Sequence, residues 1–182
     1  QQVLGFGFWH RSHQIPGQLW CPEHGTPLFY VDDVDAFFSP PESCQEQYKP
    51  IAGKWVDDSK ENVVVQRFLA ISLAFMRRAS PFSVSTVADV LKEQGAKLGF
   101  RTNAGTEKAK LLSDALVQSV PTEWLFSVMP TLVGKKIGKA MPQIDGVFYM
   151  KTAASSATAY ILALAMMFSN PEVALAELVA AD

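Results

Sequence analysis

The chain has 182 residues, of which 48% are hydrophobic, and this composition predicts a folded protein with one full-sized core or two small units. Its formal net charge of -2 excludes a protein that is basic throughout, so a nucleic-acid surface would need a local concentration of positive charge. Residues 63–151 carry 12 Lys and Arg against 6 Asp and Glu, whereas residues 1–62 carry 4 against 9 and residues 152–182 carry none against 3.

The two cysteines, Cys21 and Cys44, are too few for the disulfide framework of a small secreted domain. The chain opens on Gln1 without a charged segment and apolar run of the signal-peptide kind. Its longest apolar stretch, residues 153–168, is interrupted by Ser and Thr and is shorter than the roughly 20 residues of a bilayer span. We therefore expect a piece of a longer cytoplasmic protein without a membrane partner.

Residues 1–31 mix aromatic residues with Gly and Pro, and two short strands at 18–20 and 27–31 are predicted on either side of a tight turn. Burial alone cannot hold so small a unit together. Residues 32–58 are acidic and rich in Pro and Ser, which is typical of a connector that runs over the surface. The predicted fold is thus mainly α, with a small β segment, a connector and a helical domain at 59–182.

The helical domain is predicted to begin with a helix that Ser59 caps and that ends at Ser80-Pro81. The second helix starts at Ser83 or Ser85, and the third follows Thr106, a favourable N-cap, and stops before Pro121. A short helix with Trp124 as its anchor covers 121–133. The last two helices are predicted at 148–168 and 171–181, after a loop rich in Gly and Lys at 134–139.

The turn between the two predicted strands reads Cys21-Pro22-Glu23-His24-Gly25. In a zinc knuckle this spacing points both ligands inward from one turn, and the following Gly permits a left-handed backbone. A closed structural zinc site needs four ligands, so two are missing from the turn. His10 and His13 could complete the set locally, or the missing pair lies upstream of Gln1. The alternative without metal makes Cys21 a small buried side chain and His24 a surface residue.

Residues 8–28, which include Arg11-Ser12-His13-Gln14-Ile15-Pro16-Gly17 and Cys21-Pro22-Glu23-His24-Gly25, resemble a block of the TniQ/TnsD family of transposon target-selection proteins. The resemblance implies that Cys21 and His24 bind Zn²⁺ together with an upstream Cys-x-x-Cys pair, and that His13 packs beside the site. It also implies a helix-turn-helix-like unit, here near residues 83–120.

The predicted third helix begins among residues suited to DNA, because side chains near a helix N-terminus can reach bases and phosphates. These residues are Arg101, Thr102, Asn103, Thr106, Lys108 and Lys110. Lys135, Lys136 and Lys139 lie in the Gly/Lys loop and suit non-specific phosphate contacts. The plainer interpretation of both groups is an ordinary solvated helix end and loop.

The leading hypothesis is a non-catalytic target-selection protein that binds DNA or an RNA-guided complex and recruits a transposition ATPase and transposase, as the resemblance implies. A metal-dependent nuclease that uses Asp32, Asp33 and Asp35 is one alternative, although an acidic stretch of this kind is more often solvated. A purely structural helical interaction domain is the other.

Overall fold

The computed structural model describes residues 9–103, 109–149 and 155–182, and the described part of the chain is mainly helical, as predicted. The helices are α1 Pro41–Gln47, α2 Gly53–Glu61, α3 Val63–Arg77, α4 Val84–Lys97, α5 Leu112–Ser119, α6 Thr122–Val128, α7 Pro142–Asp145, α8 Ala157–Met167 and α9 Pro171–Ala181. Single 3-10 turns cover Arg11–Gln14, Val34–Phe38, Pro130–Leu132 and Gly146–Phe148.

Helix α8 is the centre of the core. Its residues Ala157–Met167 are apolar on nearly every side, which is typical of a helix surrounded by protein. It packs against α3, α4, α7 and α9. Trp124 of α6 is fully buried and meets Phe68 of α3 edge to face, with 5.3 Å between ring centroids. The prediction that Trp124 anchors its helix is therefore confirmed.

Several predicted helix starts are found where a polar side chain satisfies the first free N–H groups. Ser83 accepts a hydrogen bond from Thr86 N at the start of α4, and Asn170 accepts one from Glu172 N at the start of α9. The predicted cap at Ser59 is wrong. Ser59 lies inside α2, and Asn62 instead caps α3 by accepting from both Val64 N and Val65 N.

The acidic stretch at 32–58 holds more regular structure than a simple connector. It contains the 3-10 turn Val34–Phe38, helix α1 and most of α2. Proline stands at the first position of α1, where its missing N–H costs nothing, so the Pro-rich stretch starts a helix. Only Val56 and Ser59 of α2 are buried, so the sequence has few apolar residues at helical spacing from which to predict this helix.

The third helix does not begin as predicted within the described residues. Helix α5 begins only at Leu112. Lys110, which was predicted to lie inside the helix, forms an isolated bridge with Phe100. Thr106 and Lys108 lie outside the described residues. The first turn of α5 is capped from a distance, because the Asp145 carboxylate accepts a hydrogen bond from Ser113 N at 3.0 Å. No spacing along the sequence encodes a cap supplied 32 residues later.

Two other helices are shorter than predicted. The helix expected at 121–133 ends at Val128, and Pro130 opens a separate 3-10 turn, since proline cannot continue the helical hydrogen bonding. The helix expected at 148–168 is described only over Ala157–Met167, with Ser156 as its cap. Gly146–Phe148 forms a 3-10 turn, and residues 150–154 lie outside the described part.

The N-terminal segment packs onto the helices. Ile15 and Leu19 belong to the main buried cluster. Gly17, at φ +77°, brings its carbonyl within 2.8 Å of the Trp124 Nε1–H that donates to it. The two predicted strands are reduced, in the described residues, to isolated bridges that include Trp20 with Pro27.

Within the described residues, no single helix has both the length and the apolar character to cross a membrane. Helices α8 and α9 pass such a test only when taken together, and the chain bends by 117° between them.

Candidate metal half-site and basic surface

The Cys-Pro-x-His turn brings its two candidate ligands together. Cys21 N donates to Thr26 O and Gly25 N donates to Cys21 O, both at 2.8 Å, so the turn closes on itself. Gly25 has φ +68°, the left-handed conformation that the sequence predicted for it. The buried Cys21 Sγ lies 3.2 Å from Nδ1 of His24. A thiol and an imidazole therefore face one another across the turn.

This geometry fits one half of a tetrahedral zinc site. Zinc–sulfur and zinc–nitrogen bonds of about 2.3 and 2.0 Å place the two ligand atoms roughly 3.5 Å apart. The Sγ–Nδ1 distance of 3.2 Å is close to that separation and, without metal, is that of a hydrogen bond. Among the residues the structure describes, no group of three or more His, Cys, Asp and Glu side chains is arranged to hold a metal ion. The turn thus offers two donors and not a closed site.

His10 and His13, the local candidates for the missing ligands, lie beside the turn. Their rings are 5.0 Å apart, and His10 Nδ1 hydrogen-bonds with Ser12 Oγ at 2.8 Å. Burial lowers the pKa of His13, and so do the neighbouring His10 and, more weakly, His24, whereas Glu23 raises it. His13 is therefore close enough to His10 and His24 to sense their charge, but the described residues do not gather the three imidazoles into a ligand set.

Lys60 of α2 holds the turn to the helices. Its ammonium donates to Gly25 O at 2.7 Å and lies 5.7 Å from the centre of the Trp20 ring. A cation on an aromatic face and a charge-assisted hydrogen bond both favour this position. Sequence reasoning did not identify Lys60, because it lies 35 positions after Gly25 and no local pattern indicates the contact.

Lys135 was predicted to meet phosphates, but the structure assigns it a structural position. Its side chain is 1% exposed, and its ammonium forms an ion pair with Asp114 of α5 and donates to Lys136 O. The other Asp114 oxygen accepts from Gly138 N at 2.9 Å. Asp114 therefore fastens the loop to the first turn of α5, and Lys135 is not presented to solvent.

The predicted DNA-binding residues of 101–110 that the structure describes are also divided between buried and exposed positions. Thr102 is buried, with its methyl group next to Gly95, so it presents little surface to DNA. Asn103 and Lys110 are exposed. Arg101 is partly exposed, its Nε donates to Asn103 O at 3.3 Å, and its backbone N donates to Lys110 O.

Lys136 and Lys139 of the Gly/Lys loop are exposed, as a phosphate contact requires. The loop meets α5 through Asp114, four positions after Lys110. Arg101 joins the same region through its backbone bond to Lys110. We call Arg101, Lys110, Lys136 and Lys139 the basic region.

The N-terminus of α5 does not itself offer an anion site. The Asp145 side chain, 2% exposed, takes the hydrogen bonds of Ser113 N and Ser113 Oγ and that of Met141 N. The positive end of the helix dipole already faces this carboxylate. Phosphate contacts at this end of α5 would therefore have to come from side chains.

Helices α4 and α5, at the place of the predicted helix-turn-helix-like unit, are separated by residues 98–111. That link is longer than the three or four residues of the usual turn. Helix α4 packs against α8, α9 and the 3-10 turn Gly146–Phe148, whereas α5 packs against α6 and α7.

The candidate nuclease residues Asp32, Asp33 and Asp35 are exposed. Asp33 Oδ1 accepts from Asp35 N at 2.9 Å and so caps the short 3-10 turn that follows. This local role accounts for one of the three carboxylates without a metal.

Comparison of the chain with protein-family models, with curated proteins and with solved structures gives no match.

Proposed function

We propose that this protein is a non-catalytic target-selection module of a transposition system, in which a zinc-ordered turn and the basic region bind DNA or an RNA-guided complex. The observation that carries the proposal is the convergence of Cys21 Sγ and His24 Nδ1 at 3.2 Å. It falls within residues 8–28, the stretch that resembles the TniQ/TnsD family. The two ligand types, their spacing and the left-handed Gly25 all suit a zinc knuckle.

Cys21 and His24 would supply two of the four zinc ligands, with the second pair coming from an upstream Cys-x-x-Cys segment, as the resemblance implies. Zinc would crosslink the two segments and contribute folding energy directly. Lys60 already holds the turn to α2 at Gly25, so metal binding would fix the added segment relative to the helices. A reducing cytoplasm would keep the Cys21 thiol available for the metal.

The basic region would meet the sugar-phosphate backbone, because exposed Lys and Arg side chains contact phosphates without reading sequence. Lys136 and Lys139 lie in a loop that Asp114 fastens to α5, so the loop is held in place before DNA binds. Preorganisation of this kind reduces the entropy lost on binding. The module would then recruit the transposition ATPase and transposase through other surfaces.

DNA affinity measured over a range of salt concentrations tests the nucleic-acid part of the proposal. Each phosphate contact contributes a slope of roughly -0.9 to the plot of log affinity against log salt. We expect the double variant Lys136→Glu, Lys139→Glu to lose most of the affinity and to flatten the slope by about two such units. The matched control is Lys49→Glu, Lys54→Glu, which makes the same charge change at two exposed lysines.

Equal losses in the two double variants would show that only net charge matters and would remove the basic region from the proposal. DNA affinity that does not depend on salt would argue against direct DNA binding and favour delivery by a guide complex. The neighbouring reading frames provide a separate check. The transposition assignment predicts genes for a transposase and an AAA+ ATPase beside this one, and their absence would contradict it.

A further inference from the structure

An aromatic groove of about 290 Å³ lies beside the metal half-site. Trp9, Tyr30, Phe37 and Trp55 line it, and the 3-10 turn Val34–Phe38 forms part of its wall. Trp9 is fixed there by the hydrogen bond from its Nε1 to Ser39 O at 3.2 Å and by its contact with Phe37, whose ring centre is 5.2 Å away. The groove is thus built from ordered side chains.

The apolar side chains at this groove and in its turn are unusually exposed. Tyr30 is 71% exposed, Phe37 61% and Phe38 90%, and Val34 between them is 81% exposed. Single exposed apolar residues are normal, but four of them within residues 30–38 favour an interaction surface here. Aromatic side chains are also the residues that most often dominate binding energy at protein interfaces.

One part of the groove rim is negative. Asp33 lines the groove, Asp32 and Asp35 are exposed next to it in sequence, and residues 12–48 contain no Lys or Arg. The exposed Lys49 and Lys54 flank the lining residues Ile51 and Trp55. The pKa of Tyr48 is raised by burial and by the carboxylates of Asp33 and Asp32, so their field reaches beyond the turn itself. The carboxylates of this turn repel phosphates and attract cations, so they favour a cationic partner over nucleic acid.

We propose that this groove docks a segment of a partner protein in which Lys or Arg stands next to apolar side chains. The apolar side chains would enter between Trp9, Tyr30 and Phe37. The cationic groups would meet Asp32, Asp33 and Asp35 at the rim. This surface is opposite in charge to the basic region, so the inference goes beyond DNA binding and holds whether or not the chain binds DNA.

Selection of short peptides from a random display library on the purified protein tests the proposal directly. We expect enrichment of sequences that combine Lys or Arg with Leu, Ile or Pro. The consensus peptide, made with a fluorescent label, is then titrated against the protein. Truncation of an aromatic anchor removes most of its contact area, so Phe37→Ala should weaken binding by about tenfold or more.

Neutralisation of the rim tests the ionic part. Exposed ion pairs are individually weak, so Asp32→Asn, Asp35→Asn should weaken binding by about fivefold and make it less sensitive to salt. Val179→Ala and Glu172→Gln on α9 are the matched controls, because both residues are exposed and lie on another element. Neither control should change the affinity. The far-ultraviolet circular dichroism of each variant verifies that it is folded.

Four results would overturn the proposal. The library could yield no enriched peptide, or one whose affinity Phe37→Ala leaves unchanged. The enriched peptides could be acidic or uncharged. Sedimentation could show a dimer of this chain that Phe37→Ala dissociates, which would assign the groove to a second copy and not to a basic partner. Failure of DNA binding in the salt experiment affects none of these measurements, so the two proposals fail separately.

Discussion

The carboxylate of Asp145 accepts two hydrogen bonds from one residue, Ser113, at 3.0 Å from its backbone N and 2.8 Å from its hydroxyl. This contact connects α7 to the first turn of α5 and caps the N-terminus of α5, the helix that carries Asp114. Because Asp114 holds the Gly/Lys loop, the Asp145–Ser113 contact indirectly positions the basic region.

Replacing Asp145 with alanine should lower the free energy of unfolding by about 3 kcal/mol or more, because three donors that face the carboxylate would lose their acceptor. Asparagine should rescue only part of the loss, since its amide nitrogen cannot accept from a donor. Urea denaturation measures both effects. Asp57→Ala, at an exposed carboxylate of α2, is the control and should stay within about 0.5 kcal/mol of the unchanged protein. An Asp145→Ala variant as stable as this control would refute the capping role.

Gly17→Ala should destabilise the protein more than Gly99→Ala. Both glycines have φ +77°, so an alanine at either position costs about 1–2 kcal/mol in backbone strain. A Cβ at Gly17 would also lie 2.5 Å from Val128 Cγ2 and 2.7 Å from Trp124 Cζ2, whereas one at Gly99 would meet nothing within 4 Å. Overpacking adds about 1–3 kcal/mol, so the difference between the two variants measures the contact itself. Equal urea midpoints would show that the N-terminal segment does not pack against Trp124 as described.

Lys135 and Lys136 are neighbours for which we predict opposite effects. Lys135→Met removes a buried ammonium from Asp114 and should cost about 1–3 kcal/mol of stability, because the carboxylate is left partly buried and unpaired. Lys136→Met should leave stability within about 0.5 kcal/mol but lower DNA affinity and flatten the salt slope by about one unit. Thermal unfolding and salt-dependent DNA titration separate the two roles. A stable Lys135→Met variant that loses DNA affinity would reverse the assignment.

Local signals predicted much of the fold. Ser83 caps a helix that also shows apolar periodicity, so two local rules agree at the start of α4. At the start of α9 the cap Asn170 is followed by Pro171 at the first helical position. The start of the first long helix was misjudged because Ser59 and Asn62 are both good caps; in the structure Asn62 caps α3, and Ser59 lies inside α2. Where contacts are distant in sequence, as for Asp145 and Ser113, no local pattern could identify the cap.

The candidate site was likewise predictable where its residues are close in sequence. Cys21, His24 and Gly25 belong to one turn, so their spacing already determined their convergence. The basic residues were grouped by sequence proximity alone, and burial then separated Lys135 from Lys136 and Thr102 from Lys110. A side chain of Lys looks identical in sequence whether its ammonium meets water or Asp114. The aromatic groove was not predicted, because residues 32–58, which include its 3-10 turn, were interpreted as a connector.

X-ray absorption at the zinc edge, recorded on the protein purified as its gene encodes it, tests the central claim most directly. The account predicts bound zinc with sulfur at about 2.3 Å and imidazole nitrogen at about 2.0 Å. It also predicts loss of the metal in Cys21→Ala and His24→Ala, but not in Cys44→Ser, which alters the buried thiol of α1. Zinc retained by Cys21→Ala, or a metal shell of oxygen atoms alone, would contradict the claim that Cys21 and His24 form half of a zinc site.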